Sequence, residues 1–385
     1  MGPGFEARVK MKKILARLRE NGPKRGRLRA LCLAGLSAAL FGAVWGCAGV
    51  REQGGQETES LVVYCPHPQD FIDPIVAEFE ARTGIYVTVQ PGGTGELLDM
   101  VAEGGTPPCD IFWGGSLSTA APRKELFAPY ISANEAMVRP EFQNREGNMT
   151  RFTDVPSVIM INTNLIGDVQ VEGYGDLLQE ELKGRIAMCS PSSSSSAWEH
   201  LINMLYAMGG GAPEQGWDYV ERFCKNLDGR LLEGSSQVYE GVAKGEFAVG
   251  LTFEEGGARY VSQGYPVRLV YMKEGVISKP DVVCIAKGAA HPDEAKRFVD
   301  FVTGRDAQAV IAKDLSRRSV RLDVEEPLGL PDKSSLPLIY DDLELVTEKK
   351  EQWLKRFEDI YGRTLRQALP PEPVLESEAE GREER

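Results

Sequence analysis

Residues 61–89 read LVVYCPHPQDFIDPIVAEFEARTGIYVTV, and the hydrophobic period changes twice within them. Leu61 to Cys65 is a short β-branched run. Phe71, Ile72, Ile75, Val76 and Phe79 then recur at helical spacing, and Ile85 to Val89 is a second β-branched run. Strand, helix and strand in that order form a βαβ unit, which brings its two strands side by side and parallel. The pattern continues with a helix over Glu96 to Val101 and a strand over Cys109 to Trp113. A second set has strands at Val158 to Ile161, Arg185 to Met188, Phe247 to Phe253, Val267 to Tyr271 and Val282 to Ala286. Its helices lie at Ala197 to Met208 and Trp217 to Asn226, followed by Pro292 to Thr303 and Arg305 to Lys313. The alternation predicts an α/β protein of two lobes with largely parallel sheets. Leu343 to Leu365 reads as a terminal helix packed on one lobe, its apolar side formed by Leu345, Trp353, Leu354, Phe357 and Ile360.

The chain has 385 residues, 42% apolar and 26% charged, which suits a folded protein of about two domains. Its formal charge of −13 is unevenly placed. Residues 1–29 carry ten Lys and Arg against Glu6 and Glu20, and without them 34 basic residues face 55 acidic ones. So acidic a surface repels phosphate backbones, and no nucleic-acid partner is expected. The basic stretch runs into an uncharged, mostly apolar segment from Ala30 to Trp45 and then Gly46-Cys47. That order reads as a lipoprotein signal over 1–46, with the Cys47 thiol carrying the lipid, and Met11 is an alternative start. The expected place is outside the cell membrane and anchored to it. Residues 47–60 read as a flexible tether and 370–385 as a disordered acidic tail. Five further cysteines, Cys65, Cys109, Cys189, Cys224 and Cys284, show no zinc spacing, and four lie in or beside strand-like runs as small hydrophobes.

In open parallel sheets, ligands bind beyond the carboxyl ends of the strands. The first strand runs into Pro66-His67-Pro68 and the second into Gly92-Gly93-Thr94-Gly95-Glu96. The third runs into Gly114-Gly115-Ser116, and Arg185 to Cys189 into Ser190-Pro191 and five serines, Ser192 to Ser196, before a helix. Such junctions offer hydroxyls, free amides and positive helix ends to one anion. The strand ending at Phe253 brings Thr252, Glu254 and Glu255, a carboxylate pair suited to an amine or to hydroxyls. The only histidines are His67, His200 and His291, and no Gly-x-Ser-x-Gly, His-Glu-x-x-His or Walker loop occurs. No catalytic residue, cofactor or resident metal is therefore expected, and binding is favoured over turnover. A lipid-anchored hydrolase using Glu254 and Glu255 is the competing class.

Val63-Tyr64, Thr83-Gly84-Ile85, Asp110 to Gly115, Gly216 to Tyr219, Gly245 to Gly250 and Ala295 to Phe301 resemble the extracellular solute-binding proteins of ABC importers. The likeness runs from Leu61 to Arg321 and is nearest to the cluster that binds ferric iron, thiamine, phosphonates and sugar phosphates. It implies a type 2 periplasmic-binding-protein fold, with two lobes around a ligand cleft and a two-segment hinge near Val158 to Asn162 and Val282 to Ala286. The lobes would then span 61–157 with 285–369, and 158–284. It implies ABC permease and ATPase partners, or alternatively a membrane kinase served by a solute sensor. For an iron site the likeness puts Pro68 where a His is needed and Gly115 where a Glu is needed, and Glu254-Glu255-Gly256 replaces a tyrosine pair. The serine run matches a stretch that binds an anion in the family. The expected ligand is a small phosphate ester or phosphonate on Ser194, Ser195, Ser196 and the Ala197 amide, with His67 at its strand end and Thr94, Gly95, Gly115 and Ser116 assisting. Glu254 and Glu255 would take its amine or hydroxyls, beside Thr252, with Ser235, Ser236 and Tyr239 adding bonds from a loop. Arg317, Arg318 and Arg321 form a basic group with a cleft role or a structural one.

Overall fold

The computed structural model describes residues 60–106, 108–229 and 231–368. The signal, Cys47, the tether to residue 59 and the tail lie outside the described residues. In the first lobe, β1 (Ser60–Cys65), α1 (Gln69–Thr83), β2 (Tyr86–Pro91), α2 (Thr94–Glu103) and β3 (Ile111–Ser116) follow the expected grammar. β1 is flanked by β2 and β3 in parallel, Val63 standing opposite both Val89 and Ile111. α1 buries Phe71, Ile72, Ile75 and Phe79, the residues whose spacing announced it. It ends at Gly84, where φ is 72° and the amide donates to the Glu80 carbonyl at 2.8 Å. A side chain at that left-handed position would be strained, so glycine sets the stop.

After a short α3 (Leu117–Ala120), the long β4 (Thr150–Asn162) carries the chain into the second lobe. There lie β5 (Ile186–Ala187), α4 (Ser195–Met208), α5 (Trp217–Leu227), α6 (Ser235–Lys244), β6 (Val249–Phe253), α7 (Glu254–Ser262) and β7 (Val267–Val270). β8 (Ser278–Ile285) returns to the first lobe, followed by α8 (Pro292–Val302), α9 (Arg305–Asp314), β9 (Arg318–Ser319) and α10 (Leu343–Ala368). β4 pairs with β8 through Thr150 to Pro156 and with β6 and β7 from Ser157 onward. The change of sheet thus falls at Pro156–Ser157, just ahead of Val158 to Asn162. The return is complete by Ser278, which stands opposite Pro156. Val282 to Ile285 is first-lobe sheet paired with β3 or β4, not hinge. The sheets are less parallel than the alternation suggested: among the described strands, only β2-β1-β3 and β5-β6 pair in parallel. The reason is topological, since a strand that leaves a lobe and one that returns beside it must run in opposite directions.

Each lobe buries its own core. In the first, Phe71, Phe79, Trp113 and Phe298 pack on one side of the sheet, and Tyr64, Leu97, Phe112 and Phe127 form a second cluster. In the second, Trp198, Leu201, Trp217 and Phe223 join Trp353 and Phe357 of α10. Each such side chain contributes roughly 1.5–3 kcal/mol by leaving water. α10 is not confined to one lobe: Lys350 Nζ donates to the Thr119 carbonyl of the first lobe at 3.0 Å. The five cysteines named above are buried free thiols.

Candidate functional site

A cleft of about 630 Å³ lies between the lobes, and its walls include the first residues of four helices: Gln69 of α1, Thr94 of α2, Ser195 of α4 and Ser235 of α6. The opening amides of a helix have no partner within it, so each such end presents positive N–H groups. The residues preceding α1, α2 and α6, Pro68, Gly93 and Gly234, supply no side-chain cap, although Glu96 Oε2 accepts from the Gly93 amide at the start of α2 at 3.3 Å. α4 is capped by Ser194, whose hydroxyl accepts from the Ala197 amide. Arg317 and Lys279 add two cations to the same walls.

His67, Thr94, Gly115 and Ser116 meet Ser194, Ser195, Ser196, Ser235, Ser236 and Tyr239 around this space. The lobes touch there: Thr94 Oγ1 donates to Ser195 Oγ at 3.4 Å. Gly95 stands behind the wall, close enough to the Ser192 carbonyl that a Cβ would lie 3.0 Å from it. Ser116 is less free than expected, because its hydroxyl accepts from the Thr119 amide at 3.3 Å and bonds the Thr119 hydroxyl at 2.9 Å. Ser235 and Ser236 open a helix instead of sitting in a loop. Gly115 has a φ of 73°, and a Cβ on it would come within 2.6 Å of Thr94 Cγ2. Gly115→Ala is therefore expected to lose about 1–2 kcal/mol of stability and to push Thr94 off Ser195. Urea unfolding and solute titration of the variant read the two effects separately.

The remaining calls are corrected. Ala197 and Thr252 are buried outside the cleft wall, the Ala197 amide being spent on Ser194 and the Thr252 carbonyl accepting from His200 Nε2 at 2.8 Å. Glu254 and Glu255 open α7 but do not line the cleft. Glu254 receives Arg318 Nε at 2.7 Å and Nη2 at 2.9 Å, plus the Tyr271 hydroxyl at 2.6 Å. Glu255 receives Arg317 Nη2 at 3.3 Å. Buried carboxylates need cations, and these two are committed to the arginines, not to a solute. Arg317 does reach the cleft, with Nη1 on Asp281 at 2.9 Å, whereas Arg321 is held in the first lobe by Asp323 and the Thr303 carbonyl. His67 faces Arg317 Nη1 from 3.4 Å. Burial, reinforced by that positive charge, holds its imidazole well below the usual histidine range, so it is neutral.

Glu199, Lys279 and Asp281 are cleft residues that sequence reasoning missed. The signals were there. Glu199 follows Ser195 by one helical turn and so shares its face. Lys279 and Asp281 alternate along β8 and point to the same side. Glu199 is 6% exposed, and burial pushes its carboxyl up to about 7, against the opposing pull of Lys279, Ser116 and Ser118.

Residues 61–314 match the family described as bacterial extracellular solute-binding protein. The Fe(3+)-binding periplasmic protein of Serratia marcescens is 24% identical over 270 residues, which cover 67% of this chain and 78% of that protein. AfuA of Actinobacillus pleuropneumoniae, a periplasmic binding protein solved with fructose-6-phosphate bound, superposes with a TM-score of 0.72 at 23% identity, over 79% of this chain and 99% of AfuA. A two-component-system protein described as mediating signal transduction superposes at 0.68 with 30% identity, over 77% of this chain and all of that one. Two α/β lobes joined by β4 and the return into β8 make the type 2 periplasmic-binding-protein fold, and the chain belongs to the bacterial extracellular solute-binding proteins.

Proposed function

We propose that the protein captures a small anionic solute, a phosphate ester or phosphonate, and delivers it to the permease and ATPase of an ABC importer while lipidated Cys47 anchors it to the membrane. The observation that carries this reading is the convergence of four helix N-termini on one cleft, beside the Arg317 guanidinium that Asp281 and Glu255 hold in place. Dispersed donors of that kind suit the several oxygens of a phosphoryl group. Residues of both lobes line the space, so a solute bridging them favours the closed arrangement by its differential affinity for it. The anchor reading is supported by the order of basic, apolar and Gly46-Cys47 segments.

An iron(III) cargo is less well served. It needs hard anionic oxygens with imidazole, while Glu254 and Glu255 are held by arginines and His67 stands against a guanidinium. Calorimetric titration with fructose 6-phosphate, phosphoglycerate, aminoethylphosphonate and ferric citrate tests the reading. Saturable binding of at least one of the first three is expected, and saturable iron binding without any of them retires the proposal. The 30% identical signalling protein supports a second reading, in which the occupied lobes inform a membrane kinase. Deleting the gene separates the two: an importer component abolishes uptake of the labelled solute, while a sensor leaves uptake intact and abolishes a transcriptional response.

A further inference from the structure

Glu199 does not fit a cleft built only for anions. It lines the space one turn below Ser195, and it is almost completely buried. The Ser118 hydroxyl of the first lobe donates to its Oε1, while Oε2 is buried with no hydrogen-bond partner. No neighbouring cation is committed to it. Lys279 of β8 is paired with Asp341, just before α10, and Lys350 of α10 is bonded to the Thr119 carbonyl. Asp341 adds a negative charge nearby, and the Ser116 hydroxyl, which also pulls the carboxyl toward its ionised form, is shared with Thr119 and carries no charge. His200, next on α4, is turned away onto Tyr174 and the Thr252 carbonyl. A bare carboxylate here would repel the very anion its helix attracts, and an unsatisfied buried oxygen is costly. Both problems disappear if one proton lies between the carboxyl and the anion.

Resting on the anionic-solute reading above, we propose that Glu199 binds in its neutral form and donates through Oε2 to an oxygen of the bound anion, so that capture takes up one proton from solvent. Glu199 then sets specificity, demanding an acceptor oxygen at that position and disfavouring a solute that presents a hydroxyl or amine donor there. The carboxyl's rise to about 7 is in keeping with this role. Sign follows: affinity is full where Glu199 is already protonated and falls as pH rises through about 7, because the proton must then be supplied on binding.

The test uses the full chain and calorimetry with fructose 6-phosphate, phosphoglycerate and aminoethylphosphonate, whose phosphoryl groups are already largely dianionic above about pH 7. The wild type is expected to lose about fivefold in affinity from about pH 7 to about pH 8. Buffers of different ionisation heat should register the uptake of nearly one proton at the higher pH. Glu199→Gln, a permanent donor of similar size, should bind with neither the slope nor the uptake. Lys350, lowered to about 8 by burial, titrates in the same window, so a slope that survives in the glutamine variant would assign it to that lysine and overturn the proposal. Wild-type affinity that rises with pH, or binding with no proton uptake, also overturns it whether or not the variant folds. If none of the three solutes binds at any pH, the anionic-solute reading falls first and takes this inference with it.

Discussion

Arg318→Ala is expected to destabilise the protein by about 3–5 kcal/mol, because it strands a buried carboxylate without its cation. Glu254 is 2% exposed, and its two oxygens receive the guanidinium at 2.7 and 2.9 Å. Without Arg318 the Tyr271 hydroxyl remains its only hydrogen-bond donor among the described side chains. The pair also joins distant parts of the chain. β9, which carries Arg318, pairs with Thr153 and Asp154 of β4, while Glu254 opens α7 in the second lobe. The loss should therefore appear as a lower urea midpoint and not as a local effect on solute contacts. Replacing both partners by apolar residues of similar length, Arg318→Met with Glu254→Leu, removes the charge and its counter-charge together, and such swaps are often neutral. The double variant is expected to recover most of the loss. If it is as unstable as the single variant, the cost lies in packing or in Arg318's other contacts, to Glu326 and the Pro331 carbonyl, and the account of Glu254 is wrong.

That pair also marks where the sequence stopped being legible. The helix of Phe71, Ile72, Ile75 and Phe79 and its flanking strands could be read because their apolar residues repeat at periods set by local geometry. The serine run could be read as a helix start for the same local reason. Glu254 and Glu255 looked like free acids, since the arginines that hold them stand about sixty residues later and only the fold brings them together. α6 and α7 escaped notice: Ser235 and Ser236 resemble a loop, and Glu254-Glu255-Gly256-Gly257 carries no apolar stripe at its start. Gly256 and Gly257 are there for room, as a Cβ would come within 2.6 Å of Tyr239 and 2.4 Å of Leu269. The cleft's polar floor behaves likewise. Glu199 was readable from Ser195 by helical spacing, but its lack of a cation depends on Lys279 being taken by Asp341 across the fold.

His200 gives the second large effect, and it is an effect of acid. The residue is fully buried on α4, with the Tyr174 hydroxyl donating to Nδ1 at 2.8 Å and Nε2–H donating to the Thr252 carbonyl at 2.8 Å. Both ring nitrogens are satisfied only by the neutral ring, and burial lowers its value from 6.5 to about 4. A group whose folded value is depressed stabilises the fold above its unfolded value, and that stability is lost as pH falls toward the folded one. Between pH 6.5 and about 4 the loss amounts to about 3 kcal/mol at 1.36 kcal/mol per unit. Glu199, the preceding residue, acts in the opposite sense. Its folded value of about 7 exceeds the unfolded 4.5, so its contribution is present at low pH and disappears as pH rises through about 7. The wild-type curve alone would show the two partly cancelling. His200→Gln isolates the histidine: urea midpoints should show wild type ahead at neutral pH, with the gap narrowing by about 3 kcal/mol toward pH 4. A gap that stays constant across that range would mean the ring accepts its second proton without penalty, and the neutral, doubly bonded His200 would have to be abandoned.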